Sequence, residues 1–325
     1  MGITSDRAIE LVKSLLGEGP WRCQAFGAGK FSQTFSVWTE ENEQQFVLRI
    51  APPDTVLQLF YEHRMMRQEP SIHKRLLEET SVPVPPILAY DFSRSLIDRD
   101  FLIMPRLAGQ PLSAMPLNPV ASVRAFHEWG QYVAEIHQVF DFDDHFGYLG
   151  EHQCMKPQSS WPEAFKVMYR KELDDIFSCG VYTCTQADDA MALLEDYLKV
   201  FESCETSTLC HGDLWVTNLL VQPDGEVTGL IDFDRACWGD IEWDLAIAEY
   251  CGVTRPAFWE GYGRIANTHS GDAAIRRLFY LLYEHQKYIV ISMSARRNDP
   301  HRARRYALEC LSIMEGFRKT GRPVF

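Results

Sequence analysis

The sequence predicts an α+β chain, with an N-terminal lobe on an antiparallel β-sheet and a larger, mostly helical C-terminal lobe. Three observations carry this expectation. Strand-like segments and Pro/Gly punctuation are concentrated before residue 105, and apolar residues three or four apart dominate after it. A single hairpin-like stretch interrupts the helical half. The 325 residues are 46% hydrophobic, enough for a sizeable core in one large or two ordinary domains. The expected division is 1–104 for the N-lobe (sheet plus one main helix), 105–110 for a hinge and 111–325 for the C-lobe.

The elements follow in order. Ile9, Val12, Leu15 and Leu16 have helical spacing over 5–16, with Ser5 available as N-cap. After Gly19-Pro20, residues 31–37 and 45–50 read as strands joined by a charged turn at 40–43, and Pro52-Pro53 ends the second. Residues 57–79 read as helical, interrupted near Pro70; 82–86 lead into 87–90, and 101–104 form another strand. Beyond Pro105, Val120, Val123, Phe126, Trp129, Val133 and Ile136 make one amphipathic face. Further helices are expected at 161–178, 186–204, 241–250, 256–265, 271–295 and 300–317. The one β segment in this half is a hairpin, with strands 218–221 and 227–231 about a Pro223-Asp-Gly225 turn.

That hairpin carries the chemistry. His211-Gly-Asp213 is followed by Asn218, and Ile231-Asp232-Phe-Asp234 closes the returning strand. Phosphoryl transfer needs one carboxylate to orient the attacking hydroxyl and oxygen ligands to hold Mg²⁺ against the phosphates. Asp213 fits the first role. Asn218 and Asp232, at neighbouring ends of one hairpin, fit the second. Each piece alone is weak, and a decorated hairpin is the bland alternative; their order and local structure favour the chemistry.

A second group supplies a nucleotide side. Gly27-Ala-Gly29-Lys30-Phe-Ser32 lies between the first two elements, where glycines let backbone N–H groups approach phosphates. Ser32 stands where a third glycine would complete G-x-G-x-x-G, and its hydroxyl can bond a phosphate oxygen. The loop is neither a Walker loop nor a Rossmann fingerprint, because G-x-x-x-x-G-K-[ST] is absent and a strand follows the glycines. Arg49 ends the next strand, and Glu69 is the expected carboxylate to fix it, with Glu62 competing. In the hinge, Met104 is a candidate purine contact or core residue. Pro105 has no N–H, so the N–H of Leu107 is the candidate adenine donor.

Bulk properties exclude other classes. A net charge of −13 argues against nucleic acid as the main partner. The charge is uneven, with eleven Lys/Arg against five Asp/Glu from Gly271 onward. No apolar run approaches the ~20 residues of a membrane span, and the first residues lack a secretory pattern. Nine scattered Cys without a C-x-x-C pair suit a reducing cytoplasm rather than a zinc or disulfide framework.

On His211-Gly-Asp213…Asn218, Ile231-Asp232-Phe and Gly239-Asp240-Ile-Glu-Trp-Asp244, the chain resembles the aminoglycoside phosphotransferase and choline kinase-like superfamily, whose fold resembles that of protein kinases. The resemblance runs from 27 to roughly 261. It implies a protein-kinase-like two-lobe fold, Asp213 as catalytic base, Asn218 and Asp232 on Mg²⁺, and Arg49–Glu69 as the nucleotide ion pair. It further implies that His211, Asp240 and Asp244 support the catalytic loop and cap the next helix, and that Val84-Pro85 and 134–137 are structural. Trp215 replaces the Lys of protein kinases, Asp234 replaces the Gly of Asp-Phe-Gly, and no Ala-Pro-Glu follows. No room is left for a peptide-binding activation loop.

The expected enzyme moves the γ-phosphate of ATP, or GTP, with Mg²⁺, to a hydroxyl of a small polar molecule. An aminoglycoside-type antibiotic or related amino-bearing compound leads, with metabolic kinases for choline, amino alcohols, sugars or amino acids as alternatives. A non-catalytic nucleotide-binding scaffold is the contrasting class, and the intact ligand set argues against it. Trp238, Glu242, Trp243, Glu249, Trp259, Tyr262 and Glu284 are the candidate acceptor residues, mixing aromatic faces with carboxylates; core packing is the competing explanation for the aromatics. A cytoplasmic monomer or homodimer without membrane attachment is expected.

Overall fold

The computed structural model describes residues 2–26, 31–40, 42–266 and 269–325. The N-terminal part holds a five-stranded antiparallel sheet in the order β1-β2-β3-β5-β4. Its strands are β1 (Trp21–Ala25), β2 (Gln33–Thr39), β3 (Asn42–Ile50), β4 (Ala89–Asp91) and β5 (Phe101–Pro105). Helix α1 (Ser5–Leu16) covers one face, burying Ala8, Leu11 and Val12 against Phe35, Val37, Leu48 and Ile103. The other face packs Leu102 and Met104 on Ala51 and Met66. Met104 is thus a core residue. The N-cap of α1 is Thr4 rather than Ser5; its hydroxyl accepts from Arg7 N at 3.3 Å. The edge strand β1 alternates between half-buried and exposed positions, but its five residues are too few and too exposed to stand out.

The region 57–79 departs from expectation. Helix α2 spans only Glu69–Glu79, with Pro70 in its first turn, where a missing N–H costs nothing. A 3₁₀ turn at Met65–Gln68 precedes it. Residues 57–64 are not helical, because tertiary contacts claim them. Leu59 and Tyr61 are buried among C-terminal aromatics, Phe60 N donates to Asp175 Oδ2 at 2.7 Å, and Glu62 pairs with Arg296 at 2.6 Å. Glu62 is therefore no competitor for Arg49.

The C-terminal part contains α3 (Pro119–Ile136), α4 (Trp161–Ser178), α5 (Cys184–Asp196), α6 (Ile241–Tyr250), α7 (Pro256–Tyr262), α8 (Gly271–Met293) and α9 (Pro300–Thr320). The predicted helix 186–204 resolves into α5 and a 3₁₀ turn, Leu198–Ser203. On α3 the expected stripe fails at its start, where Val120 is 81% and Val123 57% exposed. The buried face uses Ala121, Ala125 and Gly130 instead. A Cβ on Gly130 would lie 2.0 Å from the Phe258 carbonyl, so the missing side chain sets how closely α7 approaches. Small residues carry this interface, and a hydrophobic-periodicity search passes over them.

The predicted hairpin is present as β8 (Leu219–Val221) and β9 (Val227–Leu230). It is not alone in this half. The connector returns as β6 (Gln110–Pro111) beside β8, and β7 (Thr208–Cys210) pairs with β10 (Cys237–Gly239). Three-residue strands buried on both faces have no periodicity to betray them. Behind them α8 runs through the largest core cluster, so even its Glu284, Gln286 and Lys287 are buried. All cysteines are free among the described residues. No helix among them is long and apolar enough to cross a membrane.

Candidate active site

Two elements meet at the site: the loop from β7 to β8, with His211, Asp213 and Asn218, and the turn after β9, with Asp232. Asp244, in the first turn of α6, fixes the loop. Its Oδ2 accepts from His211 N at 2.6 Å and its Oδ1 from Gly212 N at 2.8 Å. Gly212 has φ +77°, and a Cβ there would meet the Arg235 carbonyl at 2.5 Å, so no other residue fits comfortably. His211 accepts from Asp213 N at 3.2 Å through Nδ1 and lies 3.1 Å from the Ile231 carbonyl through Nε2. Asp240 caps α6, accepting from Glu242 N at 2.9 Å, and receives the Tyr280 hydroxyl at 2.7 Å. His137, within the 134–137 stretch, reaches Asp244 at 3.3 Å and the Tyr262 hydroxyl at 2.8 Å.

Asn218 joins the loop to the hairpin. Its Nδ2 donates to the Asp213 carbonyl at 2.9 Å and to Asp213 Oδ2 at 3.0 Å, which leaves the amide oxygen as the donor atom toward a cation. Its carbonyl accepts from Ile231 N at 3.0 Å, bringing the two hairpin ends together. Asp232 follows in a left-handed conformation (φ +74°, ψ +55°). Such strain in a non-glycine residue costs of order 1–3 kcal/mol and concentrates at functional positions.

Arg49 connects this turn to the N-terminal sheet. It donates to Glu69 Oε2 at 2.6 Å, Asp232 Oδ1 at 2.8 Å and Asp234 Oδ2 at 3.0 Å. Three carboxylates thus share one guanidinium. Burial pushes the Glu69 carboxyl up to about 7 despite the Arg49 pairing. Asp234 is also held well above the carboxylate range, by burial first and by Asp232 second. The cluster is over-supplied with negative charge, and hard oxygen ligands in that state suit a divalent cation such as Mg²⁺. Asn218 Oδ1 and Asp232 would hold it.

Two contributors were missed in the sequence. Asp234 showed itself only as the oddity in Asp-Phe-Asp. Gln68, 1% exposed, donates to the backbone carbonyls of Asp234 and, at 3.2 Å, Ala236, docking the start of α2 on the Asp232 turn. No sequence signal marks it. Gly27, Gly29 and Lys30 lie outside the described residues. Ser32 is 8% exposed, and its hydroxyl has no hydrogen-bond partner among the described residues. Leu107 follows β5 on the connector toward β6.

The acceptor candidates fare differently. Trp243, Trp238 and Tyr262 are 0, 5 and 8% exposed and belong to the core, so packing explains them. Trp259 packs partly buried on α7. The carboxylates are all engaged internally. Glu242 pairs with Arg276, Glu249 with Arg277 and His269, and Glu284 with Arg235 and Lys287. Arg235, held between the Tyr61 and Trp243 rings, also donates to the Gly212 carbonyl at 2.8 Å. Glu284 therefore braces the Asp213 loop through Arg235.

Comparison with known proteins agrees with this geometry. Residues 22–278 match the model of the phosphotransferase enzyme family. A Vibrio parahaemolyticus protein named a probable ketoamine kinase is 26% identical over 246 residues, 72% of this chain and 74% of the relative. Among solved structures, apo aminoglycoside phosphotransferase APH(4)-Ia, as a thermostable mutant, superposes with TM-score 0.65 at 18% identity, covering 98% of this chain and 100% of that one. A protein assigned as a fructosamine-3-kinase from Thermobifida fusca gives TM-score 0.61 at 23% identity, covering 95% and 100%. At these identities the structural likeness establishes the two-lobe kinase-like fold.

Proposed function

This chain belongs to the phosphotransferase enzyme family and is a small-molecule phosphotransferase acting on hydroxyl groups; within that activity, we propose that it uses Mg²⁺-ATP to phosphorylate a sugar hydroxyl of a ketoamine. Asp213 accepts the proton of the attacking hydroxyl and orients it in line with the γ-phosphorus. Asn218 and Asp232 would hold the cation, which would supply neutralisation of the phosphate charge. Arg49, kept in place by Glu69, approaches the nucleotide, and Ser32 offers its hydroxyl to a phosphate oxygen. Positioning and electrostatics supply the catalysis.

The observation that carries the acceptor reading is the internal pairing of Glu242, Glu249 and Glu284. A polycationic aminoglycoside or a quaternary amine is recognised by carboxylates with charge to spare, and each of these three is already ion-paired within the protein. A polyhydroxylated sugar attached to a single amine needs only hydrogen bonds, which suits this face better. The relative named as a ketoamine kinase points the same way.

The test is ATP consumption by the purified protein against matched panels of fructosyl-amines, aminoglycosides and choline-type alcohols, with phosphorylated product confirmed by mass. Turnover of a fructosyl-amine at least tenfold above the other panels is the expected result. Efficient phosphorylation of an aminoglycoside with silence on ketoamines would refute the acceptor assignment.

A further inference from the structure

Lys287 projects from α8 three residues after Glu284, and its ammonium lies 2.6 Å from Glu284 Oε2. The same oxygen accepts from Arg235 Nη1 at 2.9 Å, and that nitrogen also donates to the Gly212 carbonyl. A chain of three polar contacts therefore leads from Lys287 to the peptide just before Asp213. Asp213 is also among the charges that act on Lys287, on the adjacent Tyr288 and on Cys251. This end of α8 thus lies near Asp213, with 10% of the Lys287 side chain exposed.

Charge decides what such an arrangement can recognise. Arg235 and Lys287 bring two positive charges and Glu284 one negative. Burial pushes the Glu172 carboxyl well above the glutamate range, which weakens it as a counter-charge. Burial and Arg235 press Lys287 toward neutrality; Glu284, with Tyr288 and Asp213 behind it, outweighs them and keeps the ammonium charged. The trio keeps a net positive charge, while Glu249 pairs with Arg277 and Glu242 shares Arg276 with Asp240. Glu284 engages one of the three ammonium donors.

We propose that Lys287 is a specificity-determining residue that receives a carboxylate of the acceptor. The preferred substrates are then ketoamines of carboxylate-bearing amines, such as amino acids, with the sugar hydroxyl at Asp213 and the carboxylate at Lys287 Nζ. This rests on the ketoamine reading above. Tyr288, whose ring centroid is 5.3 Å from Nζ, forms one wall of that subsite. Trp215 occupies the position where protein kinases place a lysine near the catalytic Asp, and the cation on this face comes from α8 instead.

The experiment is steady-state kinetics on acceptor pairs that differ only in a carboxylate against its amide: fructosyl-glycine and fructosyl-glycinamide, gluconate and gluconamide, serine and serinamide. The wild-type enzyme should favour the carboxylate member about 10- to 100-fold in kcat/KM, the range of a charge-assisted hydrogen bond. Lys287→Gln should bring that ratio toward one by raising KM for the carboxylate member, and Lys287→Arg should retain part of it. If the ketoamine pair is silent but another pair is turned over with the same Lys287-dependent preference, the ketoamine reading falls and the role of Lys287 stands. A wild-type ratio near one, an equal loss on both members in Lys287→Gln, or no turnover of any carboxylate member overturns the assignment. Should Lys287→Gln fail to fold, Lys287→Met replaces it, and a carboxylate preference undiminished in Lys287→Met and Lys287→Arg overturns the assignment.

Discussion

The two sides of the catalytic loop handle charge in opposite ways. Around Arg49, the carboxylates of Glu69, Asp232 and Asp234 share one guanidinium, and two of the three are pushed toward protonation by burial and mutual repulsion. Around α8 the acids are matched by internal cations, with Lys287 in excess. A region left short of positive charge is built to receive some, and under the proposed function a nucleotide with its divalent cation would supply it. A region that is self-neutralised has no such appetite. Its acids brace the fold, and its selectivity must come from hydrogen bonds and the spare ammonium. Acid residues on the two sides should therefore respond differently to removal.

The largest effect is expected at the loop itself. Asp213→Asn should lower kcat by roughly 10²–10⁴-fold, the span of a lost general base, with an unchanged circular dichroism spectrum. Wild-type turnover in a pure sample would refute its role. Next in size, Glu284→Gln leaves Arg235 and Lys287 as buried, poorly matched cations. Breaking such a pair costs about 3–5 kcal/mol, which denaturant titration would register as a large fall in midpoint. On the other side, Glu69→Gln removes an acid from an over-supplied cluster. Its thermal midpoint at pH 8 without nucleotide should be no lower than wild type, while KM for ATP rises about tenfold as Arg49 loses a partner worth ~1.5 kcal/mol. If both Gln variants lose stability equally, the contrast between the two sides is wrong.

The smallest effect concerns Glu172, fully buried on α4, with neither carboxylate oxygen partnered among the described residues. Burial raises it well above the ordinary glutamate range; Arg235 pulls it back, and Glu284 pushes it further up. A carboxyl with a raised folded-state pKa binds more protons folded than unfolded. Its penalty is absent below the unfolded value near ~4.5 and grows as pH rises above it. Glu172→Gln should thus melt above wild type at pH 8, the difference shrinking toward pH 4. A constant gap across that range would mean the residue is not titrating as described.

Legibility in the sequence tracked the range of the interactions. Asn218 and Asp232 flank one two-strand hairpin, so local geometry brings them together, whereas the Asp213 loop is also held by the distant Asp244. Helices α4 and α8 were equally plain, since long periodic segments announce themselves. The pieces that escaped depend on distant partners. Residues 57–64 look helical until Leu59 and Tyr61 find a core elsewhere, and Val120 and Val123 look buried until Gly130 brings α7 onto another face of α3. The acceptor residues show the gap most clearly. Aromatics and acids at helical spacing read as a binding surface, yet Trp243 became core and Glu284 a brace.

The order of chemical groups along the chain therefore determined the reaction class, because phosphoryl transfer to a hydroxyl needs few groups at short separations. Only the tertiary structure decided which charges remain available. Whether a carboxylate is spent or spare depends on what folds against it, as Arg276, Arg277 and Arg235 do against Glu242, Glu249 and Glu284. Those pairings close over 28 to 49 residues of chain, a separation at which no local pattern records the partner.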